Sequence, residues 1–430
     1  MLLSMEFREL ARMRETDFTR ERKVGFVLLV SIILNMVRRS TQLELDDFRE
    51  RFMPESANLT SYTKQSFSES RKKLSPKAFT MLNDAVVREF YREEGYKTYR
   101  GFRLLAIDGS KMEVPDNRET RETYGCATNS VEGWQAARAM TSCLYDLENK
   151  LVISAVLGRY ASDERQFAKI NIAKLLELMP PTSLTQNLVL GDRGYPSLDI
   201  FTFMMAKGIR FLMRVSDPFL KEVNGTTAQD ETVEISISKS RARVLEQHDN
   251  PCPEGTTIKL RVLRITLDNG KTEVLVTDLS EDELPFEDAV TLYFKRWGLE
   301  TRYDDFKNKF EEENISGERP QVIEQDFHAT IYLANMSSFI EQDAQEEVDV
   351  ACANRKYDEY RVNKNILVGK LKYQLIELLL EDDSDKRAAM FQRLQAALVR
   401  NVVPVIPGRS FPRRKKNGAN KYSKSKRRCL

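Results

Sequence analysis

Any chemistry in this 430-residue chain falls to carboxylates. The two histidines, His248 and His328, leave little for histidine-based nucleophilic catalysis or a histidine-rich metal site. Five cysteines, at 126, 143, 252, 352 and 429, form no C-x-x-C pair, which argues against a zinc ribbon, a redox couple or a disulfide framework and fits a reducing cytoplasm. Neither G-x-x-x-x-G-K-[ST] nor G-x-G-x-x-G occurs, so a nucleotide-binding loop is not indicated. Two acids stand out by position. Asp108 and Asp192 follow the short apolar runs Arg103–Ile107 and Leu188–Leu190, which read as buried strands. Strand ends in open α/β sheets are where sites form, because the loops diverge there while the backbone stays rigid. A lone Asp at such a place also serves as a turn residue or helix cap.

A third element is a helix starting near Leu292. At roughly 100° per residue, Tyr293, Arg296, Trp297, Glu300 and Lys307 share one face, and Leu292, Leu299, Tyr303, Phe306 and Phe310 form an apolar stripe beside it. The stripe predicts that the helix packs by one side and presents the polar set from the next. A solvated face carrying an Arg296 to Glu300 ion pair is the alternative that periodicity leaves open.

The elements that must position these residues follow a simple order. Residues 1–98 read as helices: an apolar run Val24–Val37, a segment Thr41–Phe52, a break at Pro54–Asn58, and a segment Ser61–Leu74 bearing Lys64, Arg71, Lys72 and Lys73. Helix, short turn and basic helix suit backbone phosphates of DNA, and equally a small bundle with a charged face. From 99 to 216 the order changes to strand, hairpin strands (Ala139–Tyr145 and Leu151–Val156), a helix capped by Ser162 with Asp163 and Glu164 in its first turn, strand, helix near Ser197–Ala206, and strand Arg210–Val215. That is a mixed α/β sheet with crossover connections. Residues 217–287 read as a β-rich insertion, with Asp268-Asn269-Gly270 as a hairpin signal between Thr256–Leu267 and Thr272–Leu279. Helical patterns resume through 288–340 and 341–399. Trp134 and His328 are expected to pack in the core.

The net charge of +2 is unevenly spread. Residues 400–430 hold eleven Lys or Arg and no acid, which leaves −9 on residues 1–399. A basic tail on an acidic body suits a polyanion, though such runs are also plain solvated termini. The run Val24–Val37 is 14 residues long and contains Ser31 and Asn35, short of the roughly 20 that a membrane span needs, and reads as a buried helix.

Tyr293-x2-Arg296-x3-Glu300-x6-Lys307 resembles, in each position and spacing, the signature of the IS4-type insertion-sequence transposases. Ile107-Asp108-Gly109-Ser110 and Gly191-Asp192-Arg193-Gly194-Tyr195 look like the first and second aspartate strands of that family, and Lys64–Leu74 resembles its N-terminal DNA-binding region. The resemblance implies a DDE transposase: an α/β, RNase H-like mixed sheet with flanking helices (99–216 and 288–340), a β-rich insertion between the second Asp and the Glu (217–287), a helical N-terminal DNA-binding region (1–98), a helical C-terminal region (341–399) and a basic tail (400–430). It implies Asp108, Asp192 and Glu300 as catalytic residues and ligands of two Mg²⁺ or Mn²⁺ ions, with no nucleotide cofactor. Tyr293, Arg296 and Lys307 would grip phosphates, Trp297 would stack on a base or else edge the core, and Arg193 would meet phosphate or pair with an acid. Lys64, Arg71, Lys72 and Lys73 would touch DNA, and Lys111 and Arg214 are weaker candidates. The implied activity is binding of terminal inverted repeats, metal-dependent strand cleavage and strand transfer into target DNA, by a cytoplasmic, nucleoid-associated protein with no membrane partner that acts on DNA as at least a homodimer. A decayed DNA-binding relic and a nuclease without strand transfer are the rival readings.

Overall fold

The computed structural model describes residues 1–20, 24–53, 62–93, 95–128, 133, 135–179, 187–267, 270–406 and 408. Five helices come first: α1 (Met5–Ala11), α2 (Phe26–Leu34), α3 (Thr41–Phe52), α4 (Lys64–Arg71) and α5 (Lys77–Arg92). Next are β1 (Arg103–Glu113), α6 (Arg118–Tyr124), β2 (Cys126–Thr128), β3 (Gln135–Asp146), β4 (Leu151–Arg159), α7 (Glu164–Leu178), β5 (Asn187–Gly191), α8 (Leu198–Ala206) and β6 (Arg210–Val215). The stretch expected to be β-rich holds α9 (Lys221–Asn224), β7 (Asp230–Ser236), α10 (Lys239–Gln247), β8 (Thr257–Thr266) and β9 (Thr272–Thr277). The chain ends with α11 (Phe286–Lys295), α12 (Trp297–Asn308), α13 (Pro320–Cys352), β10 (Tyr360–Val362), α14 (Lys364–Leu380), α15 (Ser384–Arg400) and β11 (Val402–Pro404). Two compact units result, a sheet unit (Val86–Lys111 and Met140–Tyr303) and a helical unit (Met1–Ala85, Met112–Ala139 and Asp304–Leu430).

In the sheet unit the strand order runs β3-β1-β5-β6-β9-β8-β7, with β4 on β3. β1, β5 and β6 are parallel, and β9, β8 and β7 continue the sheet antiparallel. The inner strands are apolar in unbroken runs because both faces are covered. Alternate residues serve opposite faces: Leu104, Leu188, Leu190 and Leu212 pack with Ala289, Leu292 and Tyr293 of α11. Leu105, Ile107, Val189, Phe211 and Met213 pack with Ala168, Ile172 and Leu175 of α7 and Ile200, Phe201 and Met204 of α8. This is the mixed sheet with flanking helices that the sequence leads one to expect. The β-rich stretch, however, is no separate layer, since β9 pairs with β6 and carries the sheet onward. Asp268 and Asn269 of the expected turn lie outside the described residues; Gly270 has φ +77°. The cap of α7 is Asp163, not Ser162: its carboxylate accepts from the Arg165 N–H at 2.9 Å.

In the helical unit, α2 is buried along most of its length, as its apolar composition requires. Arg71 at the end of α4 is buried, donating to Asp326 and Gln325 of α13, each at 2.8 Å. Residues 341–399 are helical as expected, with the addition of β10, which pairs antiparallel with β11. His328 has its basicity lowered to about 4 by burial. Among the described residues no helix is long and apolar enough to cross a membrane. Trp134, residues 54–58 of the expected break and the tail from 409 onward lie outside the described residues.

Candidate functional site

Strand register places the two aspartates side by side. The β1–β5 pairing runs from Arg103 opposite Asn187 to Ile107 opposite Gly191, so the next residue on each strand is an acid, Asp108 on one and Asp192 on the other. Adjacent strands lie about 4.8 Å apart. Asp192 directly follows the last residue of β5, whereas Asp108, expected at a strand end, lies midway along β1, which runs on to Glu113; both stand just past the last β1–β5 pair, where the parallel pairing stops. Tyr303 fixes the first one's backbone, donating its hydroxyl to the Asp108 carbonyl at 2.7 Å. The Gly109 N–H donates to Asp108 Oδ1 at 2.9 Å.

The glutamate arrives from α12. The expected single helix starting near Leu292 instead begins at Phe286 and tightens at Arg296, which divides α11 from α12. Arg296 keeps right-handed backbone angles (φ −49°, ψ −32°), its N–H bonds to the Tyr293 carbonyl at 3.2 Å, and its own carbonyl accepts from the Leu299 N–H at 3.0 Å. These are i to i+3 bonds, which wind the chain more tightly than an α-helix does. The polar set does not share one surface. Arg296 is 4% exposed and points inward, whereas Trp297 is 57% exposed and points out.

Arg296 gathers the three acids. One guanidinium nitrogen, Nη2, lies 3.1 Å from Glu300 Oε1 and 3.9 Å from Asp192 Oδ2, and the other, Nη1, lies 3.9 Å from Asp108 Oδ2. Tyr293 donates its hydroxyl to Asp192 Oδ1 at 3.2 Å. Arg214, which pairs with Glu273 at 2.9 Å, reaches the same Asp192 oxygen at 4.0 Å. The surroundings tune these groups. Burial raises the Asp108 carboxyl to about 6, and the charges of Glu164 and Glu300 push the same way, while the Gly109 N–H and Arg296 pull it back. Burial, with the charge of Asp192, pushes the Tyr293 hydroxyl up to about 12, so it remains a donor.

Glu164, at the start of α7, has only a helix-dipole role in the sequence reading, yet its carboxylate sits against the backbone just past each aspartate. A Cβ built on Gly109 would meet its Oε1 at 3.2 Å, and one on Gly194 its Oε2 at 2.8 Å. Burial raises the Glu164 carboxyl, and Asp163 and Asp192 add to that.

Among the described residues no three His, Cys, Asp or Glu side chains close into a metal shell. A guanidinium occupies the centre of the triad, at the distances given above. The donor set nonetheless fits a hard divalent cation, since it consists of carboxylate oxygens and already surrounds a positive group.

The other expected site residues are dispersed. Arg193 is exposed beside Asp192. Lys111 is exposed and donates to the Tyr160 hydroxyl at 3.1 Å. Lys307, on the last turn of α12, falls in the helical unit and is half-buried. In that unit Lys64 and Lys72 are exposed, Lys73 is half-buried, and Arg71 is committed to Asp326 inside.

The chain matches the family model described as "Transposase DDE domain" over residues 99–336. One relative is transposase InsG for insertion sequence element IS4 of Escherichia coli (strain K12), 21% identical over 276 residues that make up 62% of this chain and 59% of that protein. The chain thus spans less than two thirds of that relative. Two solved structures are similar: a piggyBac transposase synaptic complex with hairpin DNA (11% identity, 89% of this chain, 76% of that one, TM-score 0.43) and a pre-cleavage Mos1 transpososome (10% identity, 45% and 59%, TM-score 0.18). The family model covers more than half of the chain and spans Asp108, Asp192 and Glu300, so this protein belongs to the transposase DDE-domain family.

Proposed function

We propose that the protein is a DNA transposase of the IS4 type, which binds the terminal inverted repeats of an insertion sequence, cuts the element's ends and joins them to target DNA. The observation that carries this reading is the convergence of Asp108, Asp192 and Glu300, from three separate elements, on one buried guanidinium. These three acids are the residues that would hold two divalent cations, Mg²⁺ or Mn²⁺. Such ions, when bound, activate the attacking oxygen and offset charge at the phosphate.

The chain's own side chains do the rest. Tyr293 orients Asp192, Tyr303 pins the Asp108 backbone, and Arg296 keeps three like charges together. Exposed Trp297 suits stacking on a base, and exposed Arg193 suits a phosphate. Exposed Lys64 and Lys72 suit DNA backbone contacts, and the tail adds sequence-independent attraction. Exchange of one phosphodiester for another needs no nucleotide. Joining two ends calls for at least a homodimer on DNA, acting in the cytoplasm at the nucleoid.

The test is a Mg²⁺-dependent assay on an element end. Asp108→Asn, Asp192→Asn and Glu300→Gln should each abolish strand cleavage while binding to the end persists. Full cleavage by the Glu300→Gln protein would remove the assignment. A pre-cleaved end supplied with target DNA separates a transposase, which joins them, from a nuclease, which does not.

A further inference from the structure

Glu164 belongs to neither aspartate strand nor to the helices that carry the family signature. It is the first residue of α7, which packs on the sheet face opposite α11. Its two carboxylate oxygens face two glycines, Oε1 lying 3.2 Å from where a Cβ would stand on Gly109 in β1 and Oε2 2.8 Å from where one would stand on Gly194, past the end of β5. Neither glycine has a positive φ, so backbone freedom does not explain either of them. What both supply is the absence of a side chain at the spot where this carboxylate enters. That spot adjoins Asp108 on one side and lies two residues past Asp192 on the other, near enough for the charges of Glu164 and the two aspartates to act on one another. Among the described residues the carboxylate forms no hydrogen bond or ion pair. Two divalent cations bring four positive charges and the triad supplies three negative ones. A fourth carboxylate on the α7 side completes the neutralisation.

We propose that Glu164 is a fourth carboxylate ligand of the divalent-cation site, bound beside Asp108 and Asp192. This rests on the transposase reading of that site. The experiment measures Mn²⁺ binding to the full chain without DNA, by electron paramagnetic resonance of the free ion. Glu164→Gln should weaken binding about tenfold or more. Glu177→Gln, an exposed acid on the same helix, should leave it unchanged. Gly194→Ala keeps every charge but pushes a methyl to 2.8 Å from Glu164 Oε2, so it should weaken binding in the same direction, and the double variant should be no weaker than Glu164→Gln alone. Wild-type Mn²⁺ affinity in Glu164→Gln, with Asp108→Asn and Asp192→Asn impaired, would overturn this proposal and spare the transposase reading. Undiminished affinity in Asp108→Asn and Asp192→Asn would bring down that reading itself. Should Glu164→Gln fail to fold, judged by circular dichroism, Gly194→Ala decides alone, and unchanged affinity there counts against the proposal.

Discussion

Replacing Arg296 by glutamine tests whether one guanidinium holds the triad together. Its side chain is 4% exposed, and its head lies 3.1 Å from Glu300 and 3.9 Å from each aspartate. At an effective dielectric of about 20, a pair of unit charges 3.9 Å apart interacts by roughly 4 kcal/mol. Burying the guanidinium cancels much of that, and removing one member of a buried charge cluster costs about 3 to 5 kcal/mol. Glu300 is 41% exposed, so solvent screens part of the interaction, which favours the lower figure of about 3 kcal/mol. In chelator the variant should therefore melt about 3 °C below the wild type, at roughly 1 °C per kcal/mol for a chain of 430 residues. Mn²⁺ reverses the order of effects. A ligand that binds only the folded state stabilises it by RT ln(1 + [L]/Kd), and in the variant no arginine competes for the carboxylates. The rise in melting temperature on adding millimolar Mn²⁺ should be larger for Arg296→Gln than for the wild type. Differential scanning calorimetry with and without chelator reads both quantities. A variant that melts with the wild type in chelator, or that gains no more from Mn²⁺ than the wild type does, refutes the idea that this guanidinium stands in for a metal charge.

Arg71→Met should cost about 3 to 5 kcal/mol in urea unfolding, because it strands Asp326 inside the helical unit, whereas neighbouring exposed Lys72→Ala should stay within about 0.5 kcal/mol. Equal effects would mean that Arg71 is not the buried partner described. Truncation after Gly408 keeps β11 and deletes ten of the eleven tail cations, so the fall of log Kobs for DNA with log salt should flatten by about 0.9 for each phosphate that the tail neutralises; an unchanged slope assigns the tail no role in binding. His328 is held near 4 against an ordinary 6.5, so the unfolded chain takes up a proton first as pH falls. Stability should drop between about pH 6.5 and 4 with a slope of at most about 1.4 kcal/mol per pH unit, and His328→Phe should remove that component.

The parts of the fold that can be read in advance are those where a local pattern coincides with a global burial. Buried parallel strands have apolar runs because helices cover both faces, so β1, β5 and β6 announce themselves. An apolar α2 and a Thr41–Phe52 helix follow from the same logic. What local pattern does not specify is pairing. Strands β7 to β9 look the same in sequence whether they form a separate layer or lengthen the main sheet, and only the β6–β9 pairing decides it. The small pairing of β10 with β11 is invisible in sequence for that reason as well, being two three-residue strands about forty residues apart.

The same distinction runs through the site. Asp108 and Asp192 are legible because each ends an apolar run, but their adjacency comes from register: a slip of one residue in β1 against β5 would turn one of them to the opposite face. Tyr293, Arg296 and Glu300 are legible as a spacing, and helical geometry puts them near one another. It does not say that the turn at Arg296 tightens, nor which of two neighbours about 100° apart, Arg296 or Trp297, the fold buries. Glu164 escapes a sequence reading for the opposite reason, since a glutamate in the first turn of a helix has a sufficient local explanation in the dipole. Its approach to Gly109 and Gly194 joins three segments that are remote in sequence. The available signal lies in the glycines: Gly109 and Gly194 each stand within two residues of one of the two aspartates, and neither has a positive φ that would call for glycine.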